Sequence, residues 1–549
     1  MMTKNSEKSK IAARISRIAV VAVLVLALLF LLPLTLHSLF GRVDMNMNNN
    51  AVERSDYIAE SFWLNLGLLV AFVAVALLCW ILSQKVPFHI LLAAVGTVVA
   101  AVGILYLVGA ASSPSADSKY VTDAAAQAAL GNYFDTVKTD GATRRPIADI
   151  YFVQYPFQLG YVFFCEILIR LFQAHSWYVG LLAGVNLICL LGAEAAVADT
   201  VRRLFGEQAG RITLLLFLFC LQPICFTTFL YGNIPSFAFA VGGIWLMVLF
   251  SQKRRWYFAA GCAFSFALSV CIKFNSIITV VAMAAVCIIL ALHRRRWSFL
   301  LLAAGTVGLS LLCKELCVLQ YEWRTGLEFG SGIPLTAWLA MGLQSSAYRG
   351  PGQYNGYTVS IFAQNNYDSA ATSEVALQEI RNRLAAFSED PVAARAFFRE
   401  KFLTQWNETS YQSLWNTEVR GKGWGDLRGL ADLLCGEKTV DGKTVYEDGI
   451  TKRFMDVYTQ GVFVFATGGC VHLALRHRDR AEMAIFPLIL FGGMLYHLLW
   501  EAKSQYALTY LFCLVPLAAV GLCAFLQLAY SLFCKKIGKD PLGLSGETE

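Results

Sequence analysis

Charge is scarce in this chain. Only 15% of its 549 residues are Asp, Glu, Lys or Arg, against 57% hydrophobic. A soluble protein of this size has too little interior to hide so much apolar side chain, so the bilayer is the solvent for most of it. Histidine is scarce and unclustered, and no Cys-x-x-Cys pair occurs, so nothing suggests a structural metal. The fifteen cysteines do not make a disulfide framework. Cys79, Cys165, Cys189, Cys220, Cys225, Cys262, Cys271, Cys287, Cys470, Cys513 and Cys523 lie in apolar runs, where they act as small hydrophobes, and Cys435 is the lone clear case in a polar region. The net charge of +7 calls for no nucleic-acid partner, because in a membrane protein the loops that hold the Lys and Arg matter more than the total. No internal repeat is apparent, which weakens a transporter reading.

What is there is a series of apolar runs of about twenty residues, each long enough to cross a bilayer. They fall near 18–38, 62–83, 87–109, 177–199, 211–229, 235–251, 256–272, 277–292, 298–319, 455–475, 483–500 and 506–533. The basic N-terminal segment before Ile18 resembles a signal peptide, but the run continues to Leu39 without a small-residue cleavage site, so an uncleaved first helix is expected. With that basic end in the cytoplasm, SQK at 83–85, VRRLFGEQAGR at 201–211, QKRR at 252–255, HRRR at 293–296, RHRDR at 476–480 and CKKIGK at 534–539 all fall on its side. The expectation is a multi-pass plasma-membrane protein with both termini cytoplasmic. The same charge pattern argues against counting 155–172 as a crossing, and predicts an amphipathic helix at the outer interface with Gln158, Glu166 and Arg170 on or near its polar side.

The fold class expected is therefore an all-α polytopic membrane protein of about twelve helices, with outer juxtamembrane helices and a small mixed extracytoplasmic domain. The chain divides into spans 1–3 (1–109), a catalytic outer loop (110–176), spans 4–9 (177–320), an extracytoplasmic domain (321–453), and spans 10–12 with a cytoplasmic tail (454–549). Within the long outer stretch, 331–344 reads as a second interfacial helix, and VALQEIRNRLAAF followed by PVAARAFFREKFLTQW as two helices packed together. The Asn407-Glu408-Thr409 sequon carries no weight, since such triplets are common by chance.

Three outer positions combine the residue types of a chemical site. Asp117 follows the third span; by residue type alone it is a helix cap, yet a carboxylate at an outer face can also take a proton from an acceptor hydroxyl. Lys273 and Asn275 interrupt an apolar run where a span meets the surface, so Lys273 either snorkels or holds an anionic head group. Glu501, Lys503 and Tyr506 stand at the end of another span, as an interfacial pair with an aromatic belt or as a phosphate contact. An acid, two cations and several aromatics on one membrane face suit a substrate with a lipid tail, a phosphate and a sugar.

In order and spacing these residues resemble the polyprenyl-phosphate-sugar-dependent glycosyltransferases of the GT-C superfold, including aminoarabinose transferases and protein O-mannosyltransferases. The matching residues are Asp117; Ala125 to Tyr133 with Gly131; Arg145; Tyr151-Phe152 and Pro156; Arg202-Arg203-Leu204-Phe205-Gly206; Lys273; and Lys503 to Tyr506 before Pro516. The resemblance covers most of 110–290 and 483–520. It implies a GT-C-like bundle, Asp117 as catalytic base, Lys273, Lys503 and Arg145 on the donor phosphate, and Tyr120, Tyr151, Gln154, Tyr155, Asn233, Glu501 and Tyr506 around the substrate. Two departures stand out: YFVQYP puts Gln154 where aminoarabinose transferases have lysine, and Asn233 stands where related enzymes often have a second acid. Asp117-Ser118 replaces the paired acids sometimes found there, so a divalent cation, Mg or Mn, is not indicated.

The expected activity is inverting transfer of a sugar from a polyprenyl-phosphate donor to an extracytoplasmic acceptor: a cell-wall glycan, teichoic acid, lipid or protein. Membrane lipids are its other partners. Two rivals remain at this level. An O-antigen-type polymerase would rest on Arg144, Arg324 and Arg349, and a lipid-linked sugar transporter or flippase would place its ionisable groups at the membrane midplane rather than at the outer ends.

Overall fold

The computed structural model describes residues 2–46, 54–110, 114, 116–132, 147–346, 349–416, 437–440, 443–446, 450–476 and 480–537. Arg144, Arg145, Tyr133 and Cys435 lie outside them. Ten helices in this set are long and apolar enough to cross a membrane, from Ala12–Phe40 to Ser504–Cys534. Two further elements fill the remaining expected ranges: a bent pair, Glu207–Leu218 and Leu221–Thr228, and the 17-residue helix Trp256–Ile272. The fold is thus the expected all-α polytopic bundle.

The bend of 50° in the pair has a local cause. Pro223 opens the second piece, and its ring would clash with the carbonyl four residues earlier if the helix ran straight through. A carbonyl at the break is met by a side chain, Tyr458 OH donating to Leu216 O at 3.1 Å, and Gln222 Nε2 ties the second piece to Thr409 O at 3.1 Å and Thr459 Oγ1 at 3.0 Å. One carboxyl departs from the outer-end rule. Glu194 is 3% exposed inside the span Tyr178–Phe205.

Gln158 and Glu166 differ from expectation. After a single turn at Pro156–Gln158, the helix Leu159–Leu171 buries both, leaving Arg170 partly exposed. Glu166 is drawn inward because cations and a hydroxyl await it: Arg170 Nε at 3.0 Å, Tyr321 OH at 2.5 Å and Arg324 Nη2 at 2.5 Å. Such a buried carboxylate is tolerable only with partners of this kind. The helix also lies hard against the end of Trp256–Ile272. A Cβ on Gly160 would sit 1.9 Å from the Cys271 carbonyl oxygen, so only glycine permits the approach.

Between the spans lie the antiparallel hairpin Gly41–Asn46 and Arg54–Ala59, with Val43 opposite Tyr57, and the helices Leu335–Gly342, Tyr357–Gln364, Ser369–Glu389 and Pro391–Trp406. The last two are the expected pair. Asp368 and Asp390 cap them through two backbone N–H groups each, and Pro391 occupies the first helical position. Their contact is aromatic, Phe387 lying 5.1 Å from Phe397 and 5.3 Å from Phe398. Asn407, Glu408 and Thr409 are all buried, so the sequon is closed to modification as folded.

Candidate active site

The site is assembled from three chain segments. The first is the helix Ala116–Leu130. Its buried stripe, Val121, Ala124, Ala125 and Ala128, is made of small residues that let it lie close on Leu159–Leu171. At its far end Arg170 Nη2 donates to Ala128 O at 2.6 Å, and Tyr178 OH to Asp123 Oδ1 at 2.9 Å. This leaves Asp117 exposed in the first turn, where the helix dipole favours a carboxylate.

The second segment is the turn Tyr231-Gly232 with the facing junction at Lys273. Gly232, at φ +77°, allows the turn into the helix Asn233–Lys253. The Tyr231 hydroxyl is a hub: it receives Gln158 Nε2 and lies 3.5 Å from both Tyr151 OH and Asp117 Oδ2. Its backbone oxygen accepts from Lys273 Nζ at 3.1 Å, and that ammonium stands 4.0 Å from the centre of the Tyr231 ring. Burial pulls the Lys273 ammonium down to about 7, opposed by the charge of Asp117 and reinforced by that of Lys503. Burial also raises the Tyr151, Tyr155 and Tyr231 hydroxyls, with Asp117 adding to each, so all three stay neutral donors.

The third segment is the irregular stretch 500–510 between the last two spans. Lys503 is extended (φ −153°, ψ 125°), and the chain around it is held by residues from between the spans. Ser504 Oγ donates to the buried Glu408 at 2.9 Å, and Ala502 N–H to Gly352 O at 2.7 Å. Tyr506 OH reaches Glu501 Oε2 at 3.3 Å.

These segments meet on one cavity of about 640 Å³. Of the residues singled out from sequence, Asp117, Tyr155, Lys273, Glu501, Lys503 and Tyr506 line it. Asn233 does not; it lines an adjoining recess of about 40 Å³ that shares Lys273 and Tyr506. Tyr151 sits behind Tyr231, with Tyr120 stacked on it at 5.1 Å. Gln154 is buried and uses its backbone oxygen to accept Ile333 N–H at 3.0 Å. Arg349 lines the cavity, whereas Arg324 is bound to Glu166. Sequence reasoning missed Tyr231, Lys314, Trp338 and Tyr354, which also line it. For Lys314 a signal was present, a lysine inside an apolar run; Tyr231 stood two residues from the Asn233 that drew attention instead. Among the described residues, no group of three or more His, Cys, Asp or Glu is arranged to hold a metal ion.

The model of the dolichyl-phosphate-mannose-protein mannosyltransferase family matches residues 158–313, a stretch that includes Gln158, Tyr231 and Lys273 on the cavity wall. That match, on a bundle of this kind, agrees with the resemblance to the GT-C superfold of membrane glycosyltransferases. No curated protein matches the chain in sequence. Among solved structures it is similar to the oligosaccharyltransferase of Archaeoglobus fulgidus in its apo form, with a TM-score of 0.43, 13% identity, and coverage of 83% of this chain and 52% of that one. It is also similar to the oligosaccharyltransferase AglB of the same organism in complex with an inhibitory peptide and a dolichol-phosphate, with a TM-score of 0.41, 12% identity and the same coverages. The chain spans about half the length of these two proteins.

Proposed function

We propose that this protein is an inverting glycosyltransferase that takes a sugar from a polyprenyl-phosphate donor at the outer face of the plasma membrane and passes it to an acceptor hydroxyl. The observation that carries the reading is the convergence of Asp117, Lys273 and Lys503, more than 100 residues apart in sequence, on one cavity. The family match over 158–313 supplies the class of reaction.

In this reading Asp117 takes the proton of the acceptor hydroxyl as its oxygen bonds to the anomeric carbon. The bond from that carbon to the phosphate oxygen breaks, and its electron pair leaves with the polyprenyl phosphate. One displacement inverts the anomeric centre. The departing phosphate gains a negative charge, and Lys273 and Lys503 are the cations placed to meet it. Arg145 is a further phosphate contact by resemblance. Both termini lie in the cytoplasm, as the loop charges require, and the lipid tail lies between helices.

The test uses purified protein in proteoliposomes with a radiolabelled polyprenyl-phosphate sugar. Release of polyprenyl phosphate with label transferred to an acceptor supports the reading. Full activity of Asp117→Asn would remove Asp117 as the base, and uptake of intact donor without cleavage would replace the enzyme with a transporter.

A further inference from the structure

Besides Asp117, the cavity lining holds two chemically different groups of residues. In one, the charge of Asp117 acts on Lys273, whose other charged neighbour is Lys503. In the other it acts on Tyr155 and Tyr354, which also feel Glu501. This second group carries aromatic faces and one cation. Tyr155 lies 6.1 Å from Trp338, Trp500 is stacked on Tyr496 at 4.9 Å, and the Arg349 guanidinium lies 5.8 Å from the Tyr354 ring centre. Arg349 Nη1 also donates to Tyr354 O at 3.4 Å, which holds the guanidinium at the wall.

Resting on the glycosyltransferase reading, we infer that the wall formed by Tyr155, Trp338, Tyr354, Glu501 and Arg349 binds the acceptor, and that the acceptor is a saccharide bearing an anionic group.

The argument is one of matching surfaces. A pyranose ring has an apolar C–H face edged by hydroxyls. Aromatic rings beside a carboxylate offer the complement to both. An extended peptide would instead look for free main-chain groups, and three N–H groups near this wall are already paired: Ile333 with Gln154 O, Gly352 with Gln344 O, and Ala502 with Gly352 O. Arg349 supplies the planar fork suited to a phosphate or carboxylate on the sugar. It is a cation on the same cavity besides Lys273 and Lys503, so an anion on the acceptor need not share the cations of the donor.

The experiment measures binding and transfer separately on the full-length protein. A disaccharide in neutral, phosphate-bearing and uronate-bearing forms, and a Ser/Thr peptide, are titrated against it by calorimetry without donor, then offered as acceptors with a polyprenyl-phosphate sugar. One or both anionic disaccharides should bind at least tenfold tighter than the neutral form, and which of them does so identifies the anion. Arg349→Gln should erase that preference and leave donor KM unchanged. Trp338→Ala should weaken neutral and anionic forms alike. Equal binding of neutral and anionic sugars, preferential binding of the peptide, or an unchanged preference in Arg349→Gln overturns the inference. Failure of the glycosyltransferase reading shows itself differently, as intact donor in every reaction while the binding series still reports on this wall.

Discussion

Two clusters of charge at the ends of the membrane helices are built on opposite plans. In one, the charges meet each other. Lys452 Nζ lies 2.7 Å from Asp44 Oδ1 and 2.5 Å from Asp456 Oδ1, while Arg42 binds Asp44 through Nε at 2.9 Å and Glu60 through Nη1. Burial alone would raise the Asp44 carboxyl, but Lys452 and Arg42 beside it hold it below its ordinary value. This network ties the hairpin at 41–59 to the helix Ile450–Arg476. In the other cluster, around the cavity, the partners of Lys273 are a backbone carbonyl and an aromatic ring. The residue types are the same in both places. What separates a clamp from a ligand site is whether opposite charges close on one another or surround a space of 640 Å³.

The comparison breaks most sharply at one residue on each side. Asp117→Asn should lower kcat by about 10²–10⁴-fold, the range of a lost general base, with no change in unfolding temperature, because its side chain is exposed and outside the clamp. Lys452→Met should do the reverse. It leaves Arg42 to hold both Asp44 and Asp456, a loss of up to about 3–5 kcal/mol for a buried network, visible as a lower unfolding temperature in detergent. If Lys452→Met unfolds like the wild type, the network is not a clamp. If Asp117→Asn destabilises the protein, the exposed carboxylate has a structural role instead.

A sharper distinction comes from pH. A lysine held down to about 7 is charged below that value and loses its charge as pH rises through it. Donor kcat/KM, which reports the free enzyme, should therefore fall about tenfold per pH unit above neutrality. Lys273→Arg should abolish this alkaline limb even where it lowers the rate, because a guanidinium stays charged across the range. Lys452, surrounded by carboxylates, contributes no such limb. A wild-type profile flat to pH 9 would take Lys273 off the donor phosphate.

Most of the fold was legible because long apolar runs announce themselves, and even the awkward elements left marks: Pro223 at the bent pair, and Lys273 where the 17-residue helix stops. The charged part of the site was legible for the same reason, since a lone Asp or Lys at the edge of an apolar run is costly and so conspicuous. The aromatic wall was not. Trp338 falls in the expected interfacial helix at 331–344 and Tyr354 in a polar stretch without a periodic pattern, and the place of both depends on how the helices of 331–406 pack against the bundle. Glu166 shows the limit from the other direction. Helical spacing placed it near a polar face, but its partners Tyr321 and Arg324 come from a span 155 or more residues away, which no local pattern encodes.

The finest test concerns Tyr231, the residue that links the acid to the cation. Its hydroxyl serves Gln158, Tyr151 and Asp117, while its ring and carbonyl serve Lys273. Tyr231→Phe removes only the first set. One hydrogen bond is worth about 0.5–1.5 kcal/mol net, so kcat should fall about 2- to 12-fold while donor KM holds, since Lys273 keeps both of its contacts. The double variant with Gln158→Leu should lose less than the product of the two single losses, because both act through one hydroxyl. A loss as large as that of Asp117→Asn would move the Tyr231 hydroxyl from orienting the base into the proton transfer itself. A rise in donor KM would mean that the ring had shifted, and that acid and cation are coupled through Tyr231 rather than merely supported by it.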